Sequence, residues 1–459
     1  MNVARASAAE PPAQASPPTA RPVDAPTPQS TESGPGWQFH GAAKESFRGR
    51  QSSIPDERDQ DVDLYLDLAA TDPSGRFVAE GAAAAWWDID GTSRTPGFGL
   101  RSLRETTDPA LWVDVYRLSA EYRSPSDLVR LARAGRQEAE HGLPEIFDGA
   151  AVELRPARWL GLFAFGGRTE HFYELRPKVS EDWLGSAGAV LRPVENLKID
   201  IDYRLLSEDV PADSEGAKTP LTTNSYGVTG MYRFGEWLRA KLYARGLDAS
   251  LSNAGGAVGA TNQERLMGVE VRLDTQTVAI KEINEANDPY YLVLGESLPF
   301  ARWRLDLFKG FSTSAGTYTL HIGYEGRNLL RDDETVFNRN TSRLYSLFTA
   351  ADVGIKGPFA GLLFERNSAG LDLFGGQGIW AVGGSAGWDR GILRAEAGTY
   401  YQRFAYVYYQ DVEELADVRV FFGDVRLRIR EWISARTRYQ YEAFDRELHT
   451  LIVGLTQAW

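Results

Sequence analysis

From Trp37 onward, apolar and polar residues alternate with a period of two. Every other position is apolar in Val62-Asp63-Leu64-Tyr65-Leu66-Asp67-Leu68 and in Leu197-Lys198-Ile199-Asp200-Ile201-Asp202-Tyr203-Arg204-Leu205. Trp303-Arg304-Leu305-Asp306-Leu307 and Tyr318-Thr319-Leu320-His321-Ile322-Gly323-Tyr324-Glu325 follow the same rule. This period sends alternate side chains to opposite faces of an extended strand, whereas a helix needs a period of 3.6, which no long segment offers. Short turns such as Asp72-Pro73-Ser74-Gly75, Pro193-Val194-Glu195-Asn196 and Asp274-Thr275-Gln276 separate the strands. They alternate with longer polar links near 91–110, 139–146, 175–186, 209–221, 251–263, 286–300, 328–342 and 407–415. Short turns at one end and long loops at the other are the topology of a transmembrane barrel. The pattern predicts an all-β fold: a single large antiparallel transmembrane β-barrel over residues 36–459. It has about 22 strands, or as few as about 18 if weak segments such as 277–285 fail. A β-propeller or β-solenoid would repeat at a fixed period, and the chain shows no such repeat.

The last strand has a further property. Leu451, Val453, Leu455 and the terminal Trp459 share one side, and Thr450, Gly454 and Thr456 share the other, with Ile452 as the large apolar exception. This segment resembles the closing strand of Gram-negative outer-membrane β-barrels, whose C-terminal aromatic is read by the insertion machinery. The resemblance implies a cell outer-membrane location, with both termini periplasmic. It also implies contact with outer-membrane lipid and the barrel-insertion machinery, and makes Leu451, Val453, Leu455 and Trp459 the insertion signal. The family often carries an aromatic two places before the end, where this chain has Gln457.

Composition narrows the classes. Among 459 residues there are 12 Trp, 20 Tyr, 21 Phe and 45 Gly, a bias that suits aromatic girdles and tight turns. No run of about 18 apolar residues is available for a transmembrane helix. The chain has 0 cysteines, which excludes a disulfide framework and thiolate-bound metal. A net charge of -13 disfavours nucleic-acid binding. Residues 1–35 are rich in Pro, Ala and Ser. They read either as a disordered segment or, from Ala6-Ser7-Ala8-Ala9-Glu10, as the remnant of an export signal followed by a linker.

If the apolar set faces lipid, the other set lines the lumen. That set contains Arg136, Arg239, Lys241, Arg302, Arg304, Arg426, Arg428, Arg430, Arg436 and Arg438, five of them on the neighbouring segments 424–430 and 434–442. Two readings stay open: an electropositive path for anionic solutes, or a structural ladder of arginines paired with carboxylates across strands. Gly135-Arg136-Gln137, a loop, then Phe147-Asp148-Gly149 resembles a motif of large porin families, alginate-export-type porins among them. In that motif Arg136 either braces the loop or meets an anionic solute.

These features predict a porin-like outer-membrane channel for anionic solutes or an exported anionic polysaccharide. An alternative follows from size, because a barrel this wide is usually plugged and only a low-complexity segment precedes the first strand here. The barrel would then be a scaffold holding a partner, such as a multihaem cytochrome, another periplasmic electron-transfer or export partner, or a secretion subunit. Inward-folded loops at 91–110, with Pro96, Gly97 and Gly99, and at 286–300, with Tyr290, Tyr291 and Phe300, would narrow it instead. The five histidines, His40, His141, His171, His321 and His449, form no two-His metal spacing, and no GxSxG or phosphate-loop motif occurs. No catalytic site, metal or cofactor is therefore expected.

Overall fold

The computed structural model describes residues 36–54, 57–89, 111–125, 128–142, 145–170, 182–211, 218–278, 298–331, 340–369, 379–408, 412–444 and 447–459. Residues 1–35, the proposed loop 91–110 and Tyr290 and Tyr291 lie outside them.

The strands are β1 (Gln38–Ser52), β2 (Arg58–Thr71), β3 (Phe77–Asp88), β4 (Leu111–Arg123), β5 (Val129–Glu138), β6 (Ile146–Ala157), β7 (Leu160–Thr169), β8 (Trp183–Val194), β9 (Leu197–Pro211), β10 (Lys218–Phe234) and β11 (Leu238–Leu247). They continue as β12 (Ser250–Asn262), β13 (Met267–Gln276), β14 (Phe300–Thr313), β15 (Gly316–Leu329), β16 (Thr341–Ala351), β17 (Pro358–Ala369), β18 (Ile379–Arg390), β19 (Leu393–Tyr408), β20 (Val412–Arg430), β21 (Ile433–Ala443) and β22 (Glu447–Ala458). All belong to one 22-stranded sheet, and β1 pairs antiparallel with both β2 and β22. The sheet is thus closed, which leaves no unpaired edge. By packing, the chain divides into two compact units. One comprises Met1–Leu118, Gly384–Tyr401 and Val418–Trp459, the other Ser119–Gly383 and Gln402–Asp417.

The registers separate two faces. In β2, Val62, Leu64, Leu66 and Leu68 stand opposite Phe47, Glu45, Ala43 and Gly41 of β1. Phe47, Glu45 and Ala43 in turn face Val453, Leu455 and Gln457 of β22. This is the outward face, and its apolar residues are open: Leu242 is 68% exposed, Leu362 61% and Val113 60%. Glu45 is a carboxylate on this face, set between Leu64 and Leu455. Exposed tryptophans mark the short-turn end at Trp159, Trp237, Trp432 and Trp459. Buried positions on the inner face are largely polar, among them Asp59, Asp61, Glu121, Gln137, Asp202 and Arg204. An apolar outside around a polar inside is the construction of a membrane-spanning barrel.

Two boundaries differ from the pattern. The link expected at 251–263 is strand β12, and Asp274-Thr275-Gln276 closes β13 rather than turning; the turn lies between them, where the Leu266 N–H donates to the Gln263 carbonyl (3.2 Å). The run Ala254-Gly255-Gly256-Ala257 lacks visible alternation because small residues there make room for large neighbours. A Cβ on Gly255 would sit 2.7 Å from the Tyr243 hydroxyl, and one on Gly256 2.6 Å from Leu242 Cδ2. The described start of the weak segment 277–285 is not strand.

Candidate functional site

In the unit containing β5 to β17, most inner-face arginines are tied to carboxylates. Arg245 grips Asp202 with two nitrogens (2.9 and 3.1 Å). Arg272 donates to Asp274 (2.8 Å), which also accepts from Tyr243 (2.5 Å) and meets Arg302 at 3.4 Å. Arg304 lies on Asp306, and its Nη2 also donates to the Tyr345 hydroxyl (2.9 Å); Tyr345 itself donates to Asp306, which has His321 3.3 Å away. Arg343 pairs with Glu365 (2.7 Å). Arg302 thus meets its carboxylate across strands, whereas Arg304 takes Asp306 of its own strand and reaches across only to Tyr345. Lattices of this kind, with every carboxylate oxygen near a donor, hold side chains in fixed positions across a wide inner face.

Two inner-face groups stand apart. Arg233 and Arg239 face each other directly across β10 and β11, beside the short turn that joins these strands. Lys241 follows on the same face, its ammonium 5.9 Å from the Tyr243 ring centre. None of the three has a carboxylate partner among the described residues. In the other unit, β20 and β21 carry Arg426 directly opposite Arg436, with Arg438 facing Asp424. Asp424 is taken by Arg436 (Nε to Oδ2 2.8 Å). Arg438 donates to Gln440 (2.9 Å) and lies 5.3 Å over the Phe422 ring. Arg426, Arg428 and Arg430 are exposed and have no ion pair among the described residues. Four guanidinium groups, Arg426, Arg428, Arg436 and Arg438, thus share a wall with Asp424. Arg430 is a correction: past the register shift between Arg428 and Arg430 it pairs with Ile433, whose other neighbour is the outward Gln457. Both basic groups sit at the short-turn ends of their strands.

Arg136 is a correction. It points outward, not into the lumen. A register shift in β5 between Val129 and Leu131 changes the phase. Arg130 reaches Glu153 and Arg133 reaches Glu121 on the inner side, while Arg136 meets Asp148 outside (Nε to Oδ1 and Nη2 to Oδ2, both 2.7 Å) and Glu170 at 3.2 Å.

The pattern marked a polar link near 139–146 but gave no sign that the described side chains of this β5–β6 connection turn onto the inner face of their own unit. Glu140 pairs with Arg133 (2.7 Å), and Glu145 with the buried Arg204 (2.7 Å). His141 stacks on Phe163 with centroids 4.0 Å apart, its Nε2 3.2 Å from Glu153. Beneath lie Phe147 and Phe165, stacked at 5.3 Å. Gly142, with φ 80°, passes so near Asp202 that a Cβ would be 3.2 Å from its Oδ2. The density of charge in Glu138-Ala139-Glu140-His141 was the available signal. Ligand atoms of Glu140, His141 and Glu153 lie within 4.8 Å of one another. Arg133 and Arg130 already neutralise both carboxylates, so the cluster offers a dication little net attraction.

Leu451, Val453, Leu455 and Trp459 all lie on the outward face, as Gln457 does. No family model matches the chain, and no curated protein matches it. Several solved structures are similar. OccAB3 of Acinetobacter baumannii is 9% identical, with a TM-score of 0.45, over 92% of this chain and 99% of that one. OccK9 (OpdG) of Pseudomonas aeruginosa is 12% identical, with a TM-score of 0.43, over 92% and 98%. OccK2 (OpdF) of Pseudomonas aeruginosa is 10% identical, with a TM-score of 0.42, over 92% and 98%. With its closed 22-stranded sheet, apolar outside and polar inside, this chain has the fold of a membrane-spanning antiparallel β-barrel of the outer-membrane type.

Proposed function

We propose that this barrel is an outer-membrane channel that favours small anionic solutes, with both termini and the tryptophan-bearing short turns at the periplasmic face. The observation that carries the reading is the β20–β21 wall, where Arg426 and Arg428 stand without ion pairs among the described residues beside Arg436 and Arg438. Like charges directly opposed on one face repel, so such a wall is most stable when mobile anions occupy it. Apart from this wall and the Arg233, Arg239 and Lys241 group, the inner-face arginines described above are held by bonded carboxylates and set shape more than field. Guanidinium groups in a partly desolvated passage attract and orient carboxylates and phosphates.

Planar-bilayer recording of the purified barrel under a salt gradient tests this. The wild type should give a reversal potential on the anion-selective side, and the double variant Arg426→Gln, Arg428→Gln should move it toward zero. A cation-selective or non-conducting wild type would sink the channel reading and return attention to a lumen filled by a partner.

A further inference from the structure

We propose that the outward patch at the long-loop ends of β5 to β8 docks phosphorylated lipid headgroups of the surrounding leaflet. The inference rests on the membrane-spanning reading and concerns the face opposite the solute path. Arg136, Asp148, Arg168 and Trp183 all point outward there, since Asp148 pairs with Arg136 and Arg168 in register and Arg168 with Trp183. An outward arginine at mid-membrane depth is strongly unfavourable, but near the interface the penalty almost vanishes. The residues before Arg168 on its own face are Leu160, Leu162, Ala164 and Gly166, so Arg168 stands where the apolar band ends.

The patch carries Glu170 as well as Asp148, and both hold Arg136, which leaves Arg168 as its open donor among the described residues. Both oxygens of Asp148 are held by Arg136, and Arg168, which faces the same carboxylate, has no ion pair or hydrogen bond among the described residues. Its guanidinium is exposed beside Trp183, itself 47% exposed, and an indole of this kind settles at headgroup level. Planar guanidinium donors match two oxygens of a phosphate. The placement recurs in the same unit at Arg366, outward and exposed after Leu362 and Phe364 on β17. In the other unit it recurs at Arg58, outward and exposed at the start of β2. At the short-turn end, an outward basic group on a paired strand is Lys309, whose ammonium is engaged by the Arg265 carbonyl (2.7 Å). Arg168 and Arg366 thus place exposed outward guanidinium groups at the long-loop end of their unit, where anionic phosphates of the leaflet would meet them.

The test reconstitutes the full chain into vesicles of phosphatidylcholine with and without phosphatidylglycerol, followed by native mass spectrometry of retained lipid. The wild type should keep phosphatidylglycerol in preference to phosphatidylcholine. Arg168→Gln should lower that preference about fivefold, and Arg168→Gln with Arg366→Gln should lower it further, both variants keeping wild-type conductance and heat-modifiable gel migration. Equal retention in wild type and variants would overturn the proposal, as would a wild type that inserts yet keeps no phosphatidylglycerol. A wild type that fails to enter either vesicle would refute the membrane reading itself, which keeps the two failures apart.

Discussion

Gly41 and Trp459 close the barrel together. Each donates its backbone N–H to the other's carbonyl, both at 2.9 Å, and the Trp459 indole lies across the space where a Gly41 Cβ would be, 2.7 Å from its Cε2. The last residue thus adds a backbone pair to the β1–β22 seam and covers it on the outward face. Replacing Gly41 by valine should expel the indole without removing the backbone bonds, whereas truncating Trp459 removes both. We expect the truncation to cut assembly of heat-modifiable barrel severalfold and Gly41→Val to cut it less. Wild-type assembly of the truncated chain would show that the seam does not depend on this pair.

The outward side of the last strand was legible in the sequence because Leu451, Val453 and Leu455 alternate with small and polar residues, whereas its pairing with β1 is given by the register. So was the closed sheet, since alternation and unequal connections report local geometry that membrane burial enforces. What alternation cannot carry is phase across an irregularity. The extra residue in β5 turned Arg136 outward, and the glycines of β12 hid a strand, because their partners, not they, supply the bulk. The inward connection at Glu140, His141 and Glu145 depends on contacts with Arg133, Glu153 and Arg204. No local pattern reports contacts over such sequence distances.

Asp61 of β2 has a fully buried side chain and accepts two bonds from Arg48, at 3.0 and 2.9 Å, with Arg50 3.5 Å away. Removing one partner of a buried pair leaves the other charge uncompensated. Asp61→Ala should therefore destabilise the folded barrel by roughly 3–5 kcal/mol. Urea unfolding in lipid vesicles measures this, and a loss below about 1 kcal/mol would mean that water reaches the cluster freely.

Glu145 anchors the β5–β6 connection on the buried Arg204. Glu145→Ala strands that guanidinium and frees one end of the connection, with Glu140 and His141 still attached. Single-channel recordings should then show larger or noisier conductance, and Glu145→Asp should restore part of the quiet state. Unchanged traces in Glu145→Ala would mean the connection does not narrow the conducting path.

Asp72 lies in the turn between β2 and β3, outside the membrane. Its carboxylate accepts from the Ser74 hydroxyl (2.5 Å) and from the backbone N–H groups of Phe77 (2.8 Å), Ser74 (3.2 Å) and Arg76 (2.7 Å). These bonds, that of Ser74 foremost, hold its pKa down to about 2. Because the folded value lies below the unfolded one of about 3.9, the contribution is complete above that value and disappears as pH falls through about 2. The stability gap between wild type and Asp72→Ala should be flat from neutral pH to about 5 and shrink on further acidification. Urea midpoints at several pH values give the curve, and a gap that widens in acid would contradict it.

Glu45 sits on the outward face between Leu64 and Leu455, where an isolated carboxylate gains nothing from lipid. The penalty for Asp or Glu on a lipid face is smaller than that for Arg or Lys, so Glu45→Leu should stabilise the barrel by about 1 kcal/mol. Lys44, its neighbour in sequence, faces inward with Ser46 and Arg48 and should show no such gain when replaced by leucine. The two variants separate a lipid-face effect from a general response to added apolar surface. Unfolding midpoints of both in the same vesicles decide the matter. If Glu45→Leu is destabilising, the carboxylate is satisfied by something bound to that face of the barrel in the membrane.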